Sequence, residues 1–505
     1  MHTRRHFIKT VMMGATAAGM PGCGNGPRPD APATGAPSSP PPHAATRLHG
    51  DHFETCHAVR DGETLPVAEV KASHDVVIVG GGPSGLSAAH ALRGRDLLLL
   101  EKEAVFGGNC ILEDWEGVRY STGGAFYTES EKELVDFFAE IGAKGLKVEG
   151  GDSLVVNGQP TTQFFTDGAT RLPFAQKVRD DFRRSREDLL HRLVDEGEAL
   201  DKLSFDEVLK PYDPLLTRFW DNFGPSNWGG IASETSAYVG AEAYNWAGGM
   251  SDPRWTFPGG MAGGAQALAE WLKPKLGERL RTGSAVYAIE REARKPGAIV
   301  RYMKDGQPFA VRARVVIVAT PKFYASYIVA GLPKGQLEAM KAYQYAPFPT
   351  FNVCLSSPGP EPAYDNWFLD APFTDFIPAD WILYAGKGPK QRKTVLTVYH
   401  PLRRERRKEL LVEPIVLEMA DAVADALERH FPGTLPKIEE IRIYRRGHPM
   451  YISAPGRMTL VKAASRPFGP ILFANTDSLA GVSSFDGALV AARAAAEAAR
   501  KQLRA

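Results

Sequence analysis

Three glycines in the stretch HDVVIVGGGPSGLS could shape a turn that binds phosphate. Gly80, Gly82 and Gly85 have the spacing G-x-G-x-x-G, and Glu101 follows nineteen positions after Gly82. In this spacing the first glycine permits a tight turn, the second lets the backbone approach a pyrophosphate, and the third lets a helix pack close to a strand. The acid stands near the distance expected for a group that binds a ribose hydroxyl. These residues predict a dinucleotide site.

Two strands and a helix must position this turn. The apolar run Val76–Val79 predicts a strand buried on both faces, and Leu97–Leu100 predicts a second strand that ends at Glu101. Pro83 and Ser84 open a helical pattern between them. The free N–H groups and the positive dipole at that helix start would favour phosphate.

Further segments of the chain resemble the flavin-containing amine oxidase and phytoene desaturase superfamily, from about Ser73 to the C-terminus. The matching segments are VFGGN (Val105–Asn109), STGGAFY (Ser121–Tyr127), FPGGMAGGAQALAEWL (Phe257–Leu272), SAVYAIER (Ser284–Arg291) and RVVIVATP (Arg314–Pro321). The resemblance implies that the dinucleotide is FAD and not NAD. It places STGGAFY beside the flavin ring and the backbone of Val286 against the adenine.

The most specific match is ILFANTDSLAGVSSFDGALVAARAAAEAAR, Ile471–Arg500. In the resembling family this strand, turn and helix bind the ribityl chain through an acid, here Asp477. The helix, which begins near Phe485, would set its N-terminus against the electron-rich N1–C2 edge of the flavin, where a positive dipole stabilises negative charge.

The turn and the resemblance together predict FAD-binding residues along most of the chain. They are Gly80, Gly82, Pro83, Ser84, Gly85, Glu101, Lys102, Gly107, Gly108, Asn109, Gly123, Gly124, Ala125, Val286, Asp477, Ser484 and Phe485.

The predicted fold class is α/β, with a Rossmann-like FAD-binding domain interleaved with a substrate domain of mixed β-sheet and helices. The FAD-binding parts are expected at 72–128, 254–333 and 465–505, and the substrate-domain parts at 129–253, which reads as helical, and 334–464. Amphipathic helices are expected at Glu129–Gly142 and Leu172–Leu200. The second insertion carries the strand-like runs TFNVCLSS and KTVLTVYH and a helix, Val412–His430.

Three departures from the family pattern leave the catalytic residues open. The family's glycine pair is usually followed by Arg, but Asn109 stands there with Cys110 beside it. No lysine occurs between Lys341 and Lys387, where amine oxidases usually place one near flavin N5, and Asn352 is the nearest polar candidate. The paired aromatic residues that sandwich an amine are not identifiable, and RRGHPMYISAPG looks more like desaturases and protoporphyrinogen oxidases.

Several single residues allow both a functional and a structural interpretation. Cys110 could attach flavin covalently or be a buried small hydrophobe. His448 could be a general base or a structural histidine. The aromatic residues could line an apolar substrate cavity or belong to the core; these are Trp228, Tyr244, Trp246 and Trp367.

The N-terminus resembles a bacterial twin-arginine export signal. Arg4 and Arg5 in TRRHFIK precede a short apolar run that ends at Cys23, so residues 1–23 are interpreted as the signal. Cys23 closes an atypical lipoprotein box. It is either lipidated, or ordinary cleavage occurs nearby and Cys23 is discarded or left as a free thiol. Residues 24–47, rich in Pro, Ala and Gly, predict a disordered tether. The twin-arginine translocase is then a partner, and the periplasm the expected location, with or without a lipid anchor.

Composition excludes several classes of function. With 60 basic and 59 acidic residues the formal charge is +1, which gives no electrostatic basis for binding nucleic acid. No run of 18 or more apolar residues predicts a membrane span. Of the four cysteines, Cys56, Cys110 and Cys354 remain if Cys23 is lipidated, so at most one disulfide can form.

The sequence therefore predicts an exported FAD-dependent oxidoreductase that moves a hydride from an amine or C–H substrate to flavin N5, and then passes electrons to a quinone or another acceptor. One alternative is a desaturase or isomerase of an apolar polyene or tetrapyrrole-like molecule. Another is an FAD-binding subunit without activity.

Overall fold

The computed structural model of the protein describes residues 45–50, 52–247, 253–293 and 296–504. Arg4, Arg5, Cys23 and the first part of the predicted tether lie outside these residues. None of the helices in the described residues is both long and apolar enough to span a membrane.

A seven-stranded sheet is built around the predicted strand before the glycine turn. Val76–Val79 are at most 2% exposed, because parallel neighbours and helices cover both faces of this strand. Within the described chain the sheet has the order Leu280–Arg281, Leu97–Leu100, Val70–Val79, Gln307–Val318, Ala298–Lys304 and Ser284–Arg291, and Ile471–Phe473 also pairs with Gln307–Val318. The helices on one face are Pro83–Ala91, Gly260–Leu276 and Phe485–Arg504; those on the other are Lys322–Ile328, Lys334–Ala342 and Arg457–Ala464.

An eight-stranded sheet forms the second layer of the described chain. Its order is Ala45–Gly50, Ile438–Arg445, Thr350–Leu355, Thr394–Tyr399, Asp375–Pro378, Asp365–Phe368, Asp152–Val156 and Gln159–Thr162. The helix Glu413–His430 covers one face, where Val416 and Leu427 pack against Phe351 and Ile443. On the other face, Trp115 and Tyr120 pack against Cys354 and Val395, and Asp365, Asp375 and Tyr399 line a cavity.

A helical lobe with an aromatic core completes the substrate side. The helices are Gln176–Glu196, Phe205–Leu209, Pro214–Trp228 and Ala237–Ala243. Trp228 and Tyr244 are 0% exposed in its core, with Phe182 and Trp220. The core interpretation therefore holds for Trp228 and Tyr244.

Shorter elements connect these layers. A small sheet joins Tyr127–Thr128, Arg254–Thr256 and Leu146–Lys147, and two strand pairs join Leu112–Trp115 to Val118–Ser121 and Tyr345–Ala346 to Met450–Tyr451. The remaining α-helices of the described residues are Glu54–Arg60, Lys132–Glu140 and Trp381–Tyr384.

The insertions follow the predicted pattern with two corrections. Helices occur where they were expected, as Lys132–Glu140, Gln176–Glu196 and Glu413–His430. The first insertion is not only helical, because Asp152–Val156 pairs with Asp365–Phe368 and extends the eight-stranded sheet. The predicted tether is also too long.

Residues 45–47, assigned to the tether from composition, belong to the strand Ala45–Gly50. This strand pairs in parallel with Ile438–Arg445, a partner that local sequence does not reveal. Shortly after it, the His52 ring lies 2.5 Å from a carboxylate oxygen of Glu103, in the loop that follows the strand Leu97–Leu100.

Candidate functional site

A cavity of about 1700 Å³ is lined by residues of both sheets and contains most of the predicted FAD-binding set. The predicted residues that line it are Gly80, Gly82, Pro83, Ser84, Glu101, Lys102, Gly108, Asn109, Gly123, Gly124, Ala125, Val286, Ser484 and Phe485. Gly85, Gly107 and Asp477 are not among the lining residues.

The first glycine turn has the geometry that its spacing requires. Gly80 has φ +103°, a conformation that side-chain-bearing residues rarely adopt. A β-carbon at Gly85 would lie 1.8 Å from the carbonyl oxygen of Gly80, so only glycine lets the helix approach the strand this closely. Gly85 therefore shapes the turn without lining the cavity.

Glu101 ends its strand inside the cavity and closes the same turn. Its carboxylate accepts hydrogen bonds from the N–H of Gly81 at 2.5 Å and of Glu103 at 2.8 Å. Burial raises the pKa of this carboxyl to about 7. A buried acceptor at this position suits the hydroxyl groups of a ribose, which would donate hydrogen bonds to it.

The second glycine pair packs directly against the first turn. Gly107 has φ +135°, and a β-carbon there would meet the carbonyl of Cys110 at 2.4 Å. A β-carbon at Gly108 would lie 2.9 Å from the Cα of Gly82. Both backbones are therefore in contact and bare where they line the cavity, which suits the close approach of a pyrophosphate alongside them.

Arg446 supplies the positive charge that Asn109 does not. The Asn109 amide donates to the carbonyl of Pro449 at 2.8 Å, so it holds a loop in place. The Arg446 guanidinium, only 6% exposed, donates to the carbonyl of Gly108 at 3.1 Å and to Thr122 Oγ1 at 2.7 Å. The charge next to the glycine pair thus comes from a segment more than three hundred positions later in the chain.

Arg446 is missing from the predicted binding set because nothing local in RRGHPMYISAPG marks it. The indication in the sequence is indirect. Asn109 stands where the family usually has an arginine after the glycine pair, which predicts that another segment supplies the positive charge.

The segment expected beside the flavin ring is fixed through its backbone. Its four consecutive carbonyls accept hydrogen bonds: Thr122 from Arg446 and Thr350, Gly123 from Tyr399, Gly124 from the Met261 N–H, and Ala125 from Thr256 and Tyr364. The donors come from the eight-stranded sheet, from the small sheet that contains Thr256, from the helix Gly260–Leu276, and from Tyr364 and Arg446 next to strands. Such anchoring holds a cavity wall at a fixed distance from a planar ligand.

Asp477 requires a correction, because its carboxylate points into the protein. It is 0% exposed and accepts hydrogen bonds from Lys322 Nζ at 2.8 Å, the Lys322 N–H at 2.7 Å and Tyr345 OH at 2.5 Å. Its neighbours Asn475 and Thr476 line the cavity instead. With both oxygens engaged, Asp477 shapes the turn but offers no atom to a ribityl chain.

Three other residues singled out in the sequence have clear positions. Cys110 lines the cavity, and burial raises the pKa of its thiol to about 11, which keeps it protonated and a poor nucleophile. The His448 ring stacks on Phe323, with the ring centroids 4.4 Å apart. Burial lowers the pKa of His448 to about 3, so the ring stays neutral. Asn352 does not line the cavity; its Oδ1 accepts from Thr397.

The cavity continues past the ring segment into an end lined by aromatic and acidic side chains. Trp246 and Trp367 line it together with Phe126 and Ile377. Both also pack in the aromatic core of the helical lobe, so the structural interpretation applies to them as well, and their contact with a substrate stays a prediction. Asp365 and Asp375 also line this end. In the part of the chain that the structure describes, the lysines that line the cavity as a whole are Lys102, Lys341 and Lys408. None of them belongs to the strand Thr350–Leu355.

Comparison with known proteins decides the family. The model of the family described as flavin containing amine oxidoreductase matches residues 83–500. The chain belongs to this family. It is 24% identical over 512 residues to the oxidoreductase PigB of Serratia sp. (strain ATCC 39006), covering 85% of this chain and 75% of that protein. It is 27% identical over 267 residues to a flavin-containing amine oxidase of Oncorhynchus mykiss, covering 49% of this chain and 50% of that one.

Solved structures of flavin amine oxidases share the fold. A wild-type putrescine oxidase bound to putrescine superposes with a TM-score of 0.65 at 19% identity, covering 84% of this chain and 98% of that one. The cyclohexylamine oxidase from Brevibacterium oxydans IH-35A superposes with a TM-score of 0.66 at 18% identity, covering 86% of this chain and 100% of that one. The predicted α/β fold is confirmed, and so is the prediction of an FAD-dependent oxidoreductase.

The residues present fit FAD. The facing glycines leave a bare cradle for a pyrophosphate, Arg446 supplies its countercharge, Glu101 offers acceptors for ribose hydroxyls, and the helix Phe485–Arg504 begins at the cavity wall. Within this family assignment, the individual FAD contacts of these residues stay predictions.

Proposed function

We propose that the protein oxidises a small organic molecule by removing a hydride from an amine or C–H carbon. FAD, when bound, supplies the oxidising capacity and accepts the hydride at N5. The observation that carries this proposal is the continuity of one cavity, from the glycine turns, past the anchored segment Thr122–Ala125, to the end formed by Trp246 and Trp367. A substrate held at that end would lie against the wall expected to carry the flavin ring.

The protein's own groups would act by position and by exclusion of water. The fixed carbonyls of Thr122–Ala125 keep the ring segment from moving when substrate enters. Aromatic walls exclude water from the reacting carbon, and positioning of this kind supplies much of the rate enhancement in redox enzymes.

The acidic residues of the substrate end favour a polar substrate over the alternative of an apolar polyene. A hydrocarbon packed against Asp365 and Asp375 would leave two carboxyl groups without a polar partner from the ligand, at a cost of desolvation.

An anaerobic reduction experiment tests the proposal. Purified holoenzyme is mixed without oxygen with a panel of small amines, and loss of the oxidised flavin absorbance is followed. We expect at least one amine to reduce the flavin. Reduction by a polyene or tetrapyrrole but by no amine would favour the desaturase alternative, and no reduction by any compound, including a lipid extract, would favour a binding subunit.

We also propose export through the twin-arginine translocase, with or without lipidation of Cys23. The supporting observation is the pair Arg4 and Arg5 ahead of a weak apolar run. Cofactor binding before export is a common reason for using that route. Replacing both arginines with lysine should leave folded, flavin-loaded protein in the cytoplasm; an unchanged periplasmic yield on fractionation would contradict export by this route.

We propose, finally, that an acceptor other than oxygen reoxidises the flavin, and that a quinone suits a membrane-tethered enzyme. The support is the lack of a lysine on the strand Thr350–Leu355, since a fixed cation near N5 speeds the reaction with oxygen.

A further inference from the structure

Two buried carboxyl groups face each other at the substrate end of the cavity. Asp365 and Asp375 lie on neighbouring antiparallel strands, are 4% and 2% exposed, and both line the cavity. They are close enough to share a hydrogen bond, which requires a proton on one of them.

The nearby cation is already engaged elsewhere. The Arg254 guanidinium donates to both carboxylate oxygens of Asp152, and its distance to Oδ2 is 3.0 Å. It also donates to the carbonyl of Trp246 at 3.1 Å. In the described part of the chain neither Asp365 nor Asp375 forms an ion pair, and Oδ1 of Asp365 is buried without a hydrogen-bond donor.

The pair holds one proton and one negative charge in neutral to mildly alkaline solution. Burial raises the pKa of Asp375 to about 7, and burial together with the Asp375 charge raises the pKa of Asp365 well above its ordinary range. The hydroxyl groups of Thr374, at 2.5 Å, and Ser226 donate to Asp375, which places the charge there and the proton on Asp365.

Aromatic side chains surround this single charge. Trp367 is the register partner of Asp375, and Trp246 lines the same end. Arg254 lies over the ring of Phe126, at 4.2 Å, which shows that a cation is accepted against an aromatic face here. A carboxylate enclosed by aromatic rings is a receptor for an organic ammonium ion.

We propose that the Asp365–Asp375 pair is the specificity-determining group that binds the nitrogen of a protonated amine substrate, with the charge of Asp375 opposite the ammonium. This inference rests on the proposed function and deepens it. A neutral molecule of the same shape would gain no such ion pair, and an anion would be repelled.

Equilibrium binding of a matched probe pair tests this. Cyclohexylamine is protonated at about pH 8 and cyclohexanol is not charged, and both have the same ring. Each is titrated anaerobically into the holoenzyme. Where the flavin is not reduced, its spectral change against concentration gives the dissociation constant; where it is reduced, the saturation of the reduction rate with concentration gives it. The variants are Asp375→Asn and Asp365→Asn, which are close to isosteric, with Asp167→Asn at an exposed site as control.

We expect Asp375→Asn to weaken cyclohexylamine binding at least tenfold, Asp365→Asn to weaken it less, and Asp167→Asn to have no effect. Cyclohexanol binding should change less than twofold in every variant. Equal amine affinity in wild type and Asp375→Asn, or parallel loss of amine and alcohol, would overturn the inference. Binding that depends on Asp375 without flavin reduction would support the inference and contradict amine oxidation.

Discussion

Gly82 and Gly108 face each other so closely that a β-carbon on Gly108 would lie 2.9 Å from the Cα of Gly82. Two glycine motifs that are separate in sequence thus pack backbone against backbone, and both line the cavity. A side chain on either glycine would push the two turns apart or fill the space beside them that is expected for the pyrophosphate.

Gly82→Val and Gly108→Ala should therefore give folded protein that purifies with little or no FAD. Gly94→Ala is the control, because a β-carbon there would have no neighbour within 4 Å. The flavin-to-protein absorbance ratio and the circular dichroism spectrum measure the two properties separately. Full flavin content in both variants would show that the cofactor does not lie against these glycines.

Arg446→Met should weaken FAD binding at least tenfold, about 1.4 kcal/mol. The change removes the buried charge next to Gly108 and the hydrogen bonds to Thr122. Arg119→Met, at an exposed position, controls for loss of a charge. Adding Asn109→Arg to the Arg446→Met variant should restore part of the affinity, measured by fluorescence of released flavin; no loss in Arg446→Met would remove Arg446 from the binding site.

Lys322→Met should destabilise the protein by about 3–5 kcal/mol, because it leaves the fully buried Asp477 carboxylate unpaired. Adding Asp477→Asn should recover part of this loss, since the neutral amide oxygen can still accept from Tyr345. The free energy of unfolding and the flavin content are measured on both variants. A stable double variant that has lost FAD would show instead that Asp477 binds the ribityl chain of FAD.

The Asp375→Asn variant should gain stability relative to wild type as pH rises. Burial raises the pKa of Asp375 to about 7, so from about pH 4 to 7 the folded state keeps a proton that the unfolded state has released. Unfolding free energy of the wild type therefore falls with pH across this window, and asparagine removes that slope. The difference in Tm, variant minus wild type, should be larger at pH 8 than at pH 5 by a few degrees; a constant difference would show that Asp375 ionises as in water.

Reduced enzyme should react slowly with oxygen and faster with a soluble quinone. Loss of a fixed cation near N5 is worth on the order of 3 kcal/mol, or about a hundredfold in rate. The flavin is reduced chemically without oxygen, mixed with aerated buffer or with quinone in a stopped-flow instrument, and its oxidised spectrum is followed. Fast reoxidation by oxygen that disappears in Arg446→Met would contradict the prediction and identify Arg446 as the missing cation.

Local patterns in the sequence were sufficient for the elements whose signals are short-range. The glycine turn, its buried strand and the strand ending at Glu101 are contiguous, and each residue's task follows from backbone geometry at that position. The helix Glu413–His430 was predicted to within one residue, because amphipathic periodicity marks a helix that covers one face of a sheet.

What the sequence could not show depends on pairings between distant segments. Arg446 reaches Gly108 only after the eight-stranded sheet brings the two together, and the Asp365–Asp375 pair exists only through strand register. Asp477 was misassigned for a related reason, since the fold supplies Lys322 as a buried partner that no local pattern announces.

The strand Ala45–Gly50 pairs with Ile438–Arg445, and Ala45 is the register partner of Glu440. The first strand therefore cannot form these hydrogen bonds until the second has been synthesised. During synthesis on the ribosome the strand partner of this segment is made nearly last, and until then its pairing edge is unsatisfied. Docking of this segment, which follows the predicted export signal and tether, therefore requires that translation has passed Ile438–Arg445. A chain that ends before these residues would leave the segment without its strand partner.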